Sequence, residues 1–248
     1  MGFLSNIFSK QTCEICKAEV GALSRIKLKD GKFVCSECTK NCSKFFSPVL
    51  YDLEEFKKHL EYMKMQDELY KKEFETIPIE QKVGLMKVLP PEGITFADSI
   101  GMFEIKYSKN KDQKLKELFR YDEIMDFKTY AKNTTEGSQK KYSEVGIQIK
   151  MMLDAPSMDY HTKHYVHRYV KEFTLPIERN TDNLIDNNNL IYKHLKQILG
   201  ITLENGVKTS YRNLNEIERY FDREKYAKLA DEAEKRVWGK TAEELFNS

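Results

Sequence analysis

Two pairs of cysteines, Cys13-x2-Cys16 and Cys35-x2-Cys38, constrain this chain more than any other feature. Each pair bends the backbone so that its two sulfurs face one point. Eighteen residues separate the pairs, and Gly21 and Asp30-Gly31 supply the turns that let them converge. Two such knuckles at this separation predict one tetrahedral site, with a single structural Zn2+ on Cys13, Cys16, Cys35 and Cys38. A closed set of four thiolates leaves no coordination position for water. The spacing therefore predicts how the N-terminus folds and assigns no catalytic residue.

Two disulfides are the competing use of these cysteines. Residues 1–10 lack the long apolar core and the cleavage site of a secretory leader. A chain of 248 residues can also build a hydrophobic core without covalent staples. The expectation is a reducing, cytoplasmic setting with zinc bound. Cys42 follows Cys38 by four residues and reads as a buried or free thiol, with a spare thiolate as the alternative.

The 41 basic and 39 acidic residues leave a formal net charge of +2, too little for a global pull toward nucleic acid or anionic lipid. No apolar run approaches the length of a membrane span. Phe3, Leu4, Ile7 and Phe8 would share one side of a helix, giving either a peripheral membrane contact or packing against the adjacent knuckle. Asn6 stands where an N-myristoylation pattern needs Ser or Thr.

The pattern divides the chain into a zinc module over 1–50, a connecting helix over 51–76, a β-rich domain with a closing helix over 94–200, and a helical tail over 206–248. Asp52 and Glu55 form a capping pair, followed by a stripe of Leu53, Phe56, Leu60, Met63, Tyr70 and Phe74 that only Asp67 interrupts. The stripe reads as a packing spacer, with a dimerising coiled-coil seam as the alternative. Residues 76–93, with Pro78, Pro90 and Pro91, read as a connection. From Ile94 the alternation becomes strand-like, over 102–107, 118–124, 126–130, 145–153 and 160–175. That predicts five to seven antiparallel strands. Helices are expected over 186–199, closed by Gly200, and over 214–237 with a break near Asp222. Thr241-x-x-Glu244 forms a last capping box.

Cys13-Glu14-Ile15-Cys16, Leu28-Lys29-Asp30-Gly31, Cys35-Ser36-Glu37-Cys38 and Phe45-Phe46-Ser47 resemble the N-terminal zinc-ribbon-like domain of unknown function DUF4428, over roughly 8–65. That family occurs at the start of many Gram-positive bacterial and phage proteins. The resemblance implies a zinc-binding cytoplasmic module without a known activity, and it suits an origin in a phage or mobile element. The order of elements after Ile94, with Arg120-Tyr121-Asp122-Glu123-Ile124 leading into a strand, resembles a bacterial PH-like domain. This implies a β-sandwich or barrel plugged by the helix over 186–199, which binds proteins, peptides or lipids. The tail from Gly206 exceeds a minimal PH domain. The fold class expected is α+β.

The resulting expectation is a non-enzymatic cytoplasmic adaptor that docks a protein or peptide partner. Two other classes compete with it. Lys17, Arg25, Lys27, Lys29, Lys32 and Lys40 make the module basic enough to raise a nucleic-acid-binding regulator, although Glu14, Glu19, Asp30 and Glu37 offset much of that charge. Asp159, His161, His164 and His167 raise a metal-dependent hydrolase. Their aromatic and β-branched neighbours favour a strand, on which a spacing of three puts successive histidines on opposite faces. No phosphate-binding glycine loop and no nucleophile elbow is present.

Overall fold

The computed structural model describes residues 10–84, 93–106, 113–134, 141–151, 170–186, 188–200 and 216–246. They divide into two compact units. One takes the residues up to Tyr70 together with 113–117. The other takes 71–106 and the residues from Leu118 onward. The apolar positions Phe3, Leu4, Ile7 and Phe8, and the cluster Asp159, His161, His164 and His167, lie outside the described residues.

The first unit begins with a two-residue ribbon, β1 (Gln11–Thr12) against β2 (Glu19–Val20). A hairpin of β3 (Arg25–Lys27) and β4 (Phe33–Cys35) follows, turning at Asp30-Gly31. Gly31 has φ +85°, a left-handed conformation that suits glycine. A short helix, α1 (Ser36–Thr39), leads to a single 3-10 turn at Pro48–Leu50.

The long helix α2 (Leu53–Leu69) starts at Asp52 as expected. Asp52 Oδ1 accepts from the Glu55 N–H at 2.9 Å, and the Glu55 carboxylate accepts from the Asp52 N–H at 2.9 Å. Of the expected stripe, Leu53, Phe56, Leu60, Met63 and Phe74 are buried and Tyr70 is half-buried; Leu69 is buried as well. The helix ends in one wide π turn over Tyr70–Phe74. Asp67 does not interrupt the buried face; it is part of it. Its carboxylate accepts from the Lys116 backbone N–H at 3.0 Å, so burial is matched by a hydrogen bond. Phe46 lies between the rings of His59 (3.8 Å, 4° between planes) and Tyr51 (4.3 Å, 15°). The His59 Nε2 accepts from the Ser43 N–H at 3.0 Å. One aromatic stack thus ties the segment after the second knuckle to α2.

The second unit holds seven described strands. β5 (Val83–Gly84), β6 (Gly93–Ala97), β7 (Met102–Lys106) and β8 (Phe119–Arg120) form one antiparallel sheet in that order. β9 (Ile124–Thr134), β10 (Lys141–Met151) and β11 (Glu172–Thr181) form another, with β10 in the middle. The antiparallel character matches the sequence pattern. Among the described residues no strand pairing joins the two sheets into a closed barrel.

Aromatic packing links the two sheets instead. Phe173 of β11 meets Phe119 at 4.7 Å and Phe103 at 6.0 Å, both edge-on. Phe96 and Tyr121 complete this fully buried core.

Several boundaries differ from the pattern. β9 and β10 start earlier than the strands expected over 126–130 and 145–153, and a 3-10 turn at Tyr121–Glu123 interrupts the strand expected over 118–124. Of the strand region expected over 160–175, residues 160–169 lie outside the described residues, and β11 runs on through Pro176 to Thr181. It is an edge strand, and Pro176 faces Gly146 beside an irregularity in the ladder, where a missing N–H is tolerated. The helix expected from Asp186 begins instead as α3 (Leu190–Ile198), capped by Asn189. Asp186 uses its carboxylate to accept from the Asn188 N–H at 2.8 Å, which builds a turn ahead of the helix. The helix α4 (Glu216–Trp238) passes through Asp222 without a break, and α5 (Ala242–Phe246) follows the Thr241–Glu244 capping box.

α4 is held on the sheet unit by a buried guanidinium. Arg120 donates to both oxygens of Asp122 (3.0 and 3.2 Å), to Glu234 at 3.1 Å and to the Ala227 carbonyl at 3.2 Å, and it pairs with Asp231 at 2.8 Å. The second oxygen of Glu234 accepts from the Ala242 N–H at 2.8 Å, so its buried carboxylate is satisfied on both sides.

Candidate metal centre

The first knuckle is a tight turn. The Lys17 N–H returns to the Cys13 carbonyl at 2.9 Å, and the Cys13 N–H reaches the Ala18 carbonyl at 2.8 Å. Closing it puts Lys17 at φ +61°, a left-handed conformation that disfavours a side chain. The second knuckle is the β4–α1 junction. There Cys35 caps α1, its sulfur accepting from the Cys38 N–H at 3.4 Å. The hairpin brings β4 alongside the first knuckle, where the Glu14 N–H donates to the Phe33 carbonyl at 2.9 Å and the Cys35 N–H donates to the Cys13 sulfur at 3.2 Å.

The four cysteines predicted from spacing are thus brought together. Their sulfurs all lie within 4.8 Å of one another. Cys16 and Cys35 are 3.6 Å apart, and Cys13 and Cys38 are 3.8 Å apart. A tetrahedron with zinc–sulfur bonds of about 2.3 Å has sulfur–sulfur edges of about 3.8 Å. None of the five cysteines is in a disulfide. Cys13, Cys35 and Cys38 are 0%, 4% and 7% exposed, whereas Cys16 faces solvent. Cys42 is buried outside the four-sulfur group.

The electrostatics favour a cation here. Burial pushes the Cys13 thiol up, but backbone N–H groups of Cys16, Ile15 and Cys35 outweigh it and bring the thiol down to about 7. Cys35 and Cys38 move the other way. Burial raises both, and for Cys38 the neighbouring sulfurs and the Cys13 charge raise it further. Four thiolates packed this closely repel one another, and a divalent ion between them removes that conflict. Cys42 is pushed up to about 12 by burial and then by the Glu117 charge, which makes it an inert thiol.

The sequence gives no signal for a second polar cluster, in the sheet unit. Asp98 Oδ1 accepts from the Tyr121 hydroxyl at 2.8 Å and lies 2.9 Å from the His194 Nε2. His194 also packs on Phe96 at 4.7 Å. The three residues come from three separate elements, so no motif spacing marks them. The cluster ties α3 to the sheet.

The arrangement at the N-terminus is that of a small four-cysteine metal knuckle closed by a helix. Residues 12–65 match the family model described as a domain of unknown function (DUF4428). The matched stretch includes all four cysteines, the 3-10 turn and most of α2. No curated protein and no solved structure matches the chain. Among the described residues no helix is long and apolar enough to cross a membrane.

Proposed function

We propose that this chain is a non-enzymatic binding protein whose N-terminal module is shaped by one structural zinc ion. Cys13, Cys16, Cys35 and Cys38 would hold the ion, and its contribution would be folding energy. The observation that carries the zinc assignment is the four-sulfur cluster, its edges close to those of a tetrahedral thiolate site. The module then serves as a rigid platform, and the β-rich unit, of PH-like character, acts as the second docking element for a protein or peptide.

Two features support docking of a protein over nucleic acid. Leu23, Val49 and Leu50 of the first unit are exposed apolar side chains of the kind a protein partner covers. Lys10, Lys17, Lys32 and Lys40 are already engaged by Glu19, Glu14, Asp30 and Glu37, so a good part of the module's basic charge is offset locally. Native mass spectrometry of the untagged protein tests the zinc assignment. One zinc per chain is expected, and its absence would overturn the assignment. Cross-linking mass spectrometry from cells tests docking. Protein adducts at residues near Leu23, Val49 or Leu50 are expected, and nucleic acid as the sole adduct would overturn it.

A further inference from the structure

One metal ligand differs from the other three. Cys13, Cys35 and Cys38 are buried, while Cys16 opens to solvent with its sulfur 3.6 Å from that of Cys35. An exposed thiolate reacts with electrophiles that buried ones never meet. The partner needed to complete a disulfide is already in contact with it, on the other knuckle. Cys13 and Cys38 form the opposite pair, 3.8 Å apart and shielded.

We propose that Cys16 is an oxidation site, and that a hydroperoxide converts Cys16 and Cys35 to a disulfide that releases the metal from the module. This rests on the zinc assignment above. In the first step the Cys16 sulfur attacks the distal peroxide oxygen. The O–O bond breaks, Cys16 becomes a sulfenic acid, and the alkoxide or hydroxide leaves and takes a proton from water. In the second step the Cys35 thiolate attacks the Cys16 sulfur and expels hydroxide. The two sulfurs together lose two electrons, and the peroxide gains them. The sulfurs close from 3.6 Å to about 2.05 Å. The cluster then keeps only Cys13 and Cys38, too few thiolates to retain the ion. Loss of the metal would unfold the platform, so the module would let go of its partner under peroxide and recover once a thiol reductant and zinc return.

The test uses the full untagged chain. Native mass spectrometry first counts zinc, and limiting hydrogen peroxide is then added. Metal release is followed with a chromogenic chelator, and disulfides are mapped after alkylation. One zinc released per Cys16–Cys35 disulfide is expected, with Cys42 still reduced and full reversal by dithiothreitol and zinc. In a parallel labelling of zinc-loaded protein with N-ethylmaleimide, Cys16 should react roughly tenfold or more faster than the buried cysteines. A first disulfide of Cys13–Cys16 or Cys13–Cys38, metal retained at full peroxide consumption, or labelling without order would each overturn the proposal. A chain that starts without zinc overturns the zinc assignment instead, and the proposed release with it. Cys42→Ser serves as the control and should leave release unchanged. Cys16→Ser, if it still loads zinc, should slow release by the same roughly tenfold factor.

Discussion

The two units are built differently. In the first, the cysteines sit on or beside two short ribbons and the short helix α1, and the strands nearest them are two or three residues long. In the second, strands of up to eleven residues enclose an aromatic core of Phe96, Phe103, Phe119, Tyr121 and Phe173. Ribbons of two and three residues cannot bury enough surface to hold themselves together. The described residues of the second unit have that surface. On the proposed zinc assignment, the comparison separates what a ligand supplies from what packing supplies within one chain.

Removing the metal should therefore split the molecule's behaviour, and this is the largest effect expected. Structural zinc contributes on the order of 10 kcal/mol to such modules. A strong chelator, or Cys13→Ser or Cys35→Ser, should unfold the first unit and leave the second intact. Trp238, the chain's single tryptophan, lies in the second unit and reports on it alone. Far-ultraviolet circular dichroism should lose helix signal while Trp238 emission stays unchanged. A shift in Trp238 emission, or an unaltered melting curve in chelator, would show that the contrast between the units is wrong.

The converse comes from the aromatic core. Phe103 is fully buried and meets Phe96, Phe119 and Phe173 at 5.6–6.0 Å. Phe103→Ala should cost the second unit about 3–5 kcal/mol through lost contacts and a cavity. Trp238 emission should follow the earlier melt, whereas zinc stoichiometry should stay at the native value. A loss of zinc in this variant would mean that the units fold together.

Much of the first unit is legible in the sequence, because a metal site writes its geometry as spacing. The positions of Cys13, Cys16, Cys35 and Cys38 encode the cluster, and Asp52 with Glu55 encodes the start of α2. The second unit is less legible, because its decisive contacts join distant residues. Arg120 finds Glu234 across 114 positions, and Asp98 finds His194 across 96. No local pattern marks such pairs. β6 is a short buried run without full alternation, and Pro176 hides the continuation of β11. Cys16 is the one feature of the metal site that spacing does not reveal. Spacing treats the four ligands alike, and only the fold leaves one of them open to solvent.

Smaller effects test each unit from within. Asp52→Ala removes the N-cap of α2 and should lower the first unit's stability by about 1 kcal/mol, read as a lower melting temperature of the zinc-loaded protein by circular dichroism. Trp238 should not register it.

In the second unit, burial pushes the Asp98 carboxyl up. His194 and Tyr121 outweigh that and hold it below the usual carboxylate range. A lowered value means that the folded unit favours the ionised form. Its contribution is present above pH about 4 and is lost as the pH falls further. The carboxylate is 42% exposed, so the effect is screened and amounts to no more than about 1 kcal/mol. Asp98→Asn should flatten the acid limb of a Trp238-monitored stability curve. An unchanged acid limb would remove Asp98 from the account.

The smallest effect concerns the knuckle itself. Lys17 holds φ +61° to close the turn after Cys16. Its ion pair with Glu14 at 3.0 Å is exposed and contributes little. Left-handed backbone costs a non-glycine residue about 1 kcal/mol, and glycine returns part of that gain through its freer unfolded chain. Lys17→Gly should therefore stabilise the loaded first unit by a few tenths of a kcal/mol. Under the zinc assignment, folding and metal binding are one process there, so the gain should appear as tighter zinc in a chelator competition. It should be absent from the Trp238 melt. Weaker zinc in the variant would mean that the turn is set by the Lys17–Glu14 pair, and that the knuckle is held by its surface charges as well as by its ligands.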